Sequence, residues 1–209
     1  SRFSALSGGC ESMELRDALL QISELRRHLT EAEKFRGYRA LPVACGAVAA
    51  GVGAFVQSWL VPDAAGSLPA YLVCWISVAV VAAAVPVIDV YITHWNRDAL
   101  RTVLAQLAFD QFFPCVVAGA LLTGVIAWRA PQVAWMLPGL WSILFSLGMF
   151  ASGRLMPRPI VLVAAWYLSF GCYLLTLGEA SAFEPWTMGV SFGVGQGLCA
   201  AILAVWSGE

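Results

Sequence analysis

Few residues in this 209-residue chain are equipped to make or break bonds, and their spacing narrows the choice. His28 and His94 are the only histidines, and Asp89 precedes His94 by little more than one helical turn, a pairing that could carry a proton or hold a metal ion. Both histidines fall in polar segments or at the edge of an apolar run. That position argues against a bis-histidine haem inside a membrane, and it predicts a local ion pair or cap for Asp89. The six cysteines, Cys10, Cys45, Cys74, Cys115, Cys172 and Cys199, form no C-x-x-C pair, and five of them lie in apolar runs. A lone thiol there packs as a small hydrophobe, so neither a disulfide framework nor a zinc site is expected. The patterns H-E-x-x-H, G-x-S-x-G and Walker A are absent, and no two carboxylates pair within an apolar run. The chain is therefore read as non-enzymatic, with no cofactor and no metal.

Neutral polar groups set deep in apolar sequence remain. Counting the helical rise from the proline that precedes each apolar run places Thr123, Ser142, Ser169 and Gln196 at one level, about 14–16 Å deep. Their hydroxyl and amide groups could line a site for a small neutral solute, or they could hydrogen-bond one helix to the next. Gln196 is the costliest of the four to leave unpaired in hydrocarbon. It is expected to bond to Ser142, Ser169, Thr123 or backbone on another helix. No ionisable group shares that depth, which disfavours a proton relay. Gly189, Gly193 and Gly197 recur every four residues as a predicted helix-packing stripe, and Gly46, Ala50 and Ala54 form a weaker one.

The elements that must carry these groups follow from composition. The chain is 60% hydrophobic and only 12% charged, against about 25% charged in an ordinary soluble domain. Twelve basic and thirteen acidic residues leave a net charge of -1, with no surplus to neutralise a phosphate backbone, so nucleic acid is excluded as a partner. Six apolar runs are long enough to cross a hydrocarbon core, which takes about 20 residues: 41–60, 70–91, 112–128, 133–150, 160–177 and 186–206. Each has a proline at or just before its start, Pro42, Pro69, Pro114, Pro131, Pro159 or Pro185, where a missing N–H costs nothing. Pro86 and Pro138 fall inside spans two and four and are expected to bend them. Seven basic residues precede the first span, Arg97 and Arg101 follow the second, Arg154 and Arg158 follow the fourth, and Arg129 stands alone on the other side. That asymmetry predicts both termini in the cytoplasm; eleven Arg against one Lys, with abundant Ala, is the composition of a GC-rich bacterial genome, and the expected location is the bacterial inner membrane. The fold class is an all-α, polytopic bundle of six transmembrane helices, arranged as three hairpins with a membrane domain over 40–209.

Two further helices are expected on the cytoplasmic side. Residues 13–39 form an amphipathic helix in which Leu15, Ile22 and Leu29 recur every seven residues and Leu25 fills the intervening turn, making a short seam for a partner helix. From Glu11 to Arg39, six acids against six bases give no net attraction to anionic lipid. Residues 96–111 read as an interfacial helix capped by Asn96. Residues 1–12 precede the first methionine, lack apolar periodicity and are expected to be disordered or extraneous to the fold.

The stretches MLPGLW (136–141), LFSLG (144–148) and FAS (150–152), together with FRGYRALP (35–42), PWTMG (185–189) and FGVGQ (192–196), resemble a family of small six-span bacterial integral membrane proteins without an assigned activity. The resemblance covers roughly residues 13–206. It implies the six-span bundle and no catalytic or binding residue. The leading expectation is a membrane-embedded scaffold or regulatory partner. Besides the bilayer, it would engage a cytoplasmic protein or a second copy of the chain through residues 13–36. The alternative is a small neutral-solute transporter or channel built around Gln196, Ser142, Ser169 and Thr123.

Overall fold

The computed structural model describes residues 40–95, 99–153 and 156–207, and every regular element within them is helical. Helix α1 spans Ala40–Leu60, α2 Leu68–Trp95 and α3 Ala99–Arg129; a 3-10 helix, Pro131–Met136, leads into α4, Leu137–Ser152. Then come α5, Ile160–Leu177, the single turn α6, Glu179–Ala182, and α7, Pro185–Ser207. Six segments are long and apolar enough to cross a membrane, as a multi-pass membrane protein requires: Ala40–Leu60, Leu68–Asp89, Phe109–Arg129, Pro131–Ser152, Ile160–Leu177 and Pro185–Trp206. Residues 1–39, with the expected seam of Leu15, Ile22, Leu25 and Leu29, lie outside the described residues.

Proline marks most of the starts. Pro131 and Pro185 open their helices, Pro69 is second in α2, and Pro159 caps α5. Two prolines differ from the sequence expectation. Pro114 lies within α3, not at its start, and residues 99–111 run without a break into the third span instead of forming a separate interfacial helix. Residues 99–113 contain no glycine or proline to end a helix, and the proline's loss of one backbone bond is tolerated where neighbouring groups can re-satisfy it. Pro138 is the second residue of α4, at the switch from 3-10 to α winding, where its missing N–H falls in a first turn and leaves no mid-helix gap.

The six long helices close into a ring. Each packs on its sequence neighbour, and α1 makes the most extensive contact of all with α7, followed by α4 with α5. The α1–α7 pair runs antiparallel, since Gly46 faces Gln196 while Ala54 meets Gly189 eight residues further along α1. At the α4–α5 crossing backbone meets backbone: a Cβ on Gly171 would come within 2.8 Å of the Gly139 carbonyl oxygen, and one on Gly139 would meet the Gly171 carbonyl oxygen at 2.8 Å. Missing side chains let the backbones touch there.

Burial is uneven along the ring. Near the short connections at 61–67, 130 and 178–184, hereafter the loop end, Tyr71, Trp75, Ile126, Ala134, Leu137 and Met188 are buried, drawn from α2, α3, the 3-10 helix, α4 and α7, with Ala54 of α1 packed against them. The other half has its core in Met149, Ile160, Val163, Ala164, Tyr167, Cys199 and Leu203, drawn from α4, α5 and α7, with Ala40 at the start of α1. Among described side chains, none in α2 after Trp75 is buried, and none in α3 between 107 and 122. Helix α2 is thus held mainly by its loop-end half, and α3 by its loop-end half together with Phe112, which packs on Phe145 and Gly148; elsewhere both present apolar side chains outward, including Val80, Val81, Ile88, Val116 and Leu121.

Candidate functional site

Polar groups inside the bundle gather at and below the loop end. On α1 the buried residues Gly46, Ala50, Gly53 and Gln57 follow one another at three- and four-residue spacing, which sets them on one face. Gln57 ends that stripe with 1% of its surface exposed. Its Nε2 donates to the carbonyl oxygen of Phe183 at 2.6 Å, and its Oε1 accepts from Trp75 Nε1 at 2.7 Å. One amide therefore ties α1 to α2 and to the connection that leads into α7. The Tyr71 ring lies nearly parallel to Trp141, with centroids 6.4 Å apart, and meets Phe183 edge-on at 4.9 Å. The Tyr71 hydroxyl is buried without a hydrogen-bond partner.

A second group links α3, α4, α5 and α7. Trp141 Nε1 donates to Thr123 Oγ1 at 2.8 Å, and that hydroxyl donates in turn to Gly119 O at 2.7 Å. Ser142 and Ser191, both fully buried, pair at 2.8 Å. Because Ser142 Oγ donates its one proton to Pro138 O at 2.9 Å, Ser191 is the donor in the pair. Trp166 Nε1 donates to Ser191 O at 3.1 Å, and Ser146 Oγ to Ala164 O at 2.8 Å. Thr187 secures the first turn of α7 by reaching Ala182 O and Glu184 O at 3.1 and 2.8 Å.

The four residues expected at one level do not share a network. Thr123 is taken up by Trp141, Ser142 by Ser191, and Ser169 is exposed on the outside of α5. Gln196 is half-buried in the half remote from the loop end, with its side-chain amide carbon and oxygen over Gly46, at 3.5 and 3.6 Å from where a Cβ would stand. It makes no hydrogen bond among the described residues. The physical reason is the level at which α7 faces α4: the residue opposite Ser142 is Ser191, and Gln196 lies five residues, about 7.5 Å, further along the helix. Counting from Pro114 also misplaced Thr123, because that proline does not begin its helix.

The glycine stripe of α7 divides likewise. A Cβ on Gly189 would meet Ala54 Cβ at 2.8 Å, Gly193 is nearest to Ala47 O at 3.9 Å, and Gly197 has nothing within 4 Å. Gly195, off the stripe, packs against the Tyr167 ring and hydroxyl, and that buried hydroxyl also lacks a partner. Gln57, Ser146, Ser152, Ser191, Thr187, Tyr71 and Tyr167 are buried residues with polar side-chain atoms that the sequence reading did not single out for an interior role. Gln57 had a signal, since it continues the 46–50 spacing by two further steps; the others had none distinct from ordinary apolar helix sequence.

Among the described residues, no three His, Cys, Asp or Glu side chains stand close enough to share a metal ion, and the described cysteines are free thiols. Asp89 sits near the end of the apolar part of α2 and has an interaction partner. The arrangement as a whole joins helices: each inward hydroxyl or indole described above, other than those of Tyr71 and Tyr167, is spent on a neighbouring element or on its own helix. No protein family matches this sequence, and neither a curated protein nor a solved structure is significantly similar to it.

Proposed function

We propose that the chain is a non-enzymatic integral membrane protein that acts as a scaffold or regulatory partner, with the amphipathic helix at 13–39 as its docking element. In this reading the spans form three hairpins, both termini are cytoplasmic, and the membrane is the bacterial inner membrane. The observation that carries the proposal is the length of α2 and α3. At 28 and 31 residues they measure about 42 and 46 Å, against a hydrocarbon core of about 30 Å. Their excess lies past Asp89 and before Phe109, at the end of the bundle where α1 begins. A two-helix projection at the end where α1 begins is what a protein-binding platform needs. Replacing both Ile22 and Leu25 by Asp sets charge into the proposed seam. The double variant is expected to lose co-purifying partners or self-association while keeping a folded membrane domain, as read by size-exclusion light scattering and partner recovery. An unchanged oligomer and an unchanged set of partners would overturn the reading.

One observation favours a second reading, carriage of a small neutral solute. The Gln196 amide is half-buried and free of hydrogen bonds among the described residues, and a solute could use it. Gln196→Leu would then abolish uptake into proteoliposomes without changing the fold. Under the scaffold reading it leaves partner binding intact.

A further inference from the structure

At the loop end, the 61–67 connection, the start of α2, the 3-10 helix, α6 and Phe183 line an open surface pocket of about 200 Å³ whose lining includes Gly66, Gln132, Trp135, Glu179 and Phe183. We propose that this pocket binds an ammonium group, carried either by a free small amine or by a phosphoethanolamine lipid headgroup. Charge sets the sign of the ligand. Glu179 is the one ionised side chain in the lining, and the other carboxylates of the loop end, Asp63 and Glu184, add to its field. Arg129, the last residue of α3 and the single basic side chain at this end among the described residues, does not line the pocket; its guanidinium lies 5.2 Å from the centroid of the Trp128 ring.

The aromatic walls set the chemistry. Trp135 and Phe183 bring aromatic rings to the lining, and the negative potential of a ring face attracts a cation and leaves an anion unrewarded. Gln132 supplies an amide oxygen that can accept from an N–H. The wall is also fixed before any ligand arrives: the Phe183 carbonyl is held by Gln57 and its ring by Tyr71. Volume limits the ligand, since about 200 Å³ falls below the usual 300–1,000 Å³ of drug-sized sites and suits a group of a few heavy atoms. Trp59, Trp128 and Trp186, exposed around the same end, mark it as the level of lipid headgroups, which is why both sources are within reach.

The test is the thermal stability of the full chain, because a ligand that binds only the folded state raises the melting temperature. In detergent micelles, ethanolamine hydrochloride is compared with sodium chloride at equal ionic strength; in nanodiscs, phosphatidylglycerol alone is compared with a phosphatidylglycerol–phosphatidylethanolamine mixture. The expected result is stabilisation by the ammonium compound over its matched control in at least one arm. Glu179→Gln should weaken the apparent affinity on the order of ten-fold or more, while Glu184→Gln, outside the lining, has a smaller effect. Stabilisation by free ethanolamine identifies a soluble amine as sufficient; stabilisation confined to the phosphatidylethanolamine discs identifies the lipid headgroup. If neither arm responds, or if Glu179→Gln responds as the parent does, the pocket is not an ammonium site.

Discussion

Two glutamines in apolar helices carry the same functional group and opposite expectations. Gln57 bonds at both ends of its amide, so Gln57→Leu strands the buried Trp75 indole N–H and deprives the part-buried Phe183 carbonyl of its partner. A loss of about 1–3 kcal/mol is expected, measured by denaturant or SDS unfolding in micelles. Gln196 makes no hydrogen bond among the described residues, and Gln196→Leu should cost less than the ~0.6 kcal/mol typical of a membrane polar contact. The prediction fails if Gln196→Leu proves the more damaging. The glycines offer a parallel contrast. Gly171→Ala would push a methyl against the Gly139 carbonyl, Ile143 and Ser142, an overpacking worth about 1–3 kcal/mol. Gly197→Ala meets open space, and it should be neutral or gain up to about 1 kcal/mol from the better helix former. Sequence spacing drew attention to Gly197 and passed over Gly171. A repeat of small residues shows where backbones can approach, whereas the facing helix decides where they do.

Among the elements, the connections proved less predictable than the helices. The helical runs were legible because about 20 apolar residues have few ways to satisfy their backbone in hydrocarbon, and because proline and glycine punctuate them. Less legible was the reach of α2 and α3 past the apolar windows, since helix continuation through 99–108 depends on the absence of breakers and not on hydropathy. The interior pairing was legible in kind, as hydroxyls and amides joining helices, but not in partner. Partner choice is set by axial offsets of half a turn or more, which cannot be counted from helix starts alone. One junction is strictly constrained. Gly178 closes α5 at φ 70°, ψ -174°, a region open essentially to glycine, and so turns the chain sharply into α6. Gly178→Ala should destabilise by about 1–3 kcal/mol, and thermal melts of the purified variant would show it. A melting temperature equal to the parent's would mean that the turn can relax to an ordinary conformation.

For the bundle as a unit, orientation can be tested directly. Reporter fusions placed after Ser67 and after Ser207 lie at opposite ends of the spans and should report opposite compartments, with the Ser207 fusion cytoplasmic; agreement between the two would break the six-span topology. Ring closure also bears on the order in which the chain is made. The most extensive helix contact joins α1 to α7, and the bond from Gln57 to Phe183 spans 126 residues of sequence. At a synthesis rate of about 5–20 residues per second, α1 spends roughly 6–25 s in the membrane before its partner is translated. Trp75, only 18 residues away, reaches Gln57 early and can shelter one side of the amide, while the small-residue face of α1 stays uncovered. A nascent chain stalled before Pro185 would therefore present the cell with five spans and an unfilled seam. That seam is covered only when α7 arrives, so the window in which a membrane protease or insertion chaperone could engage the small-residue face of α1 closes with the last span.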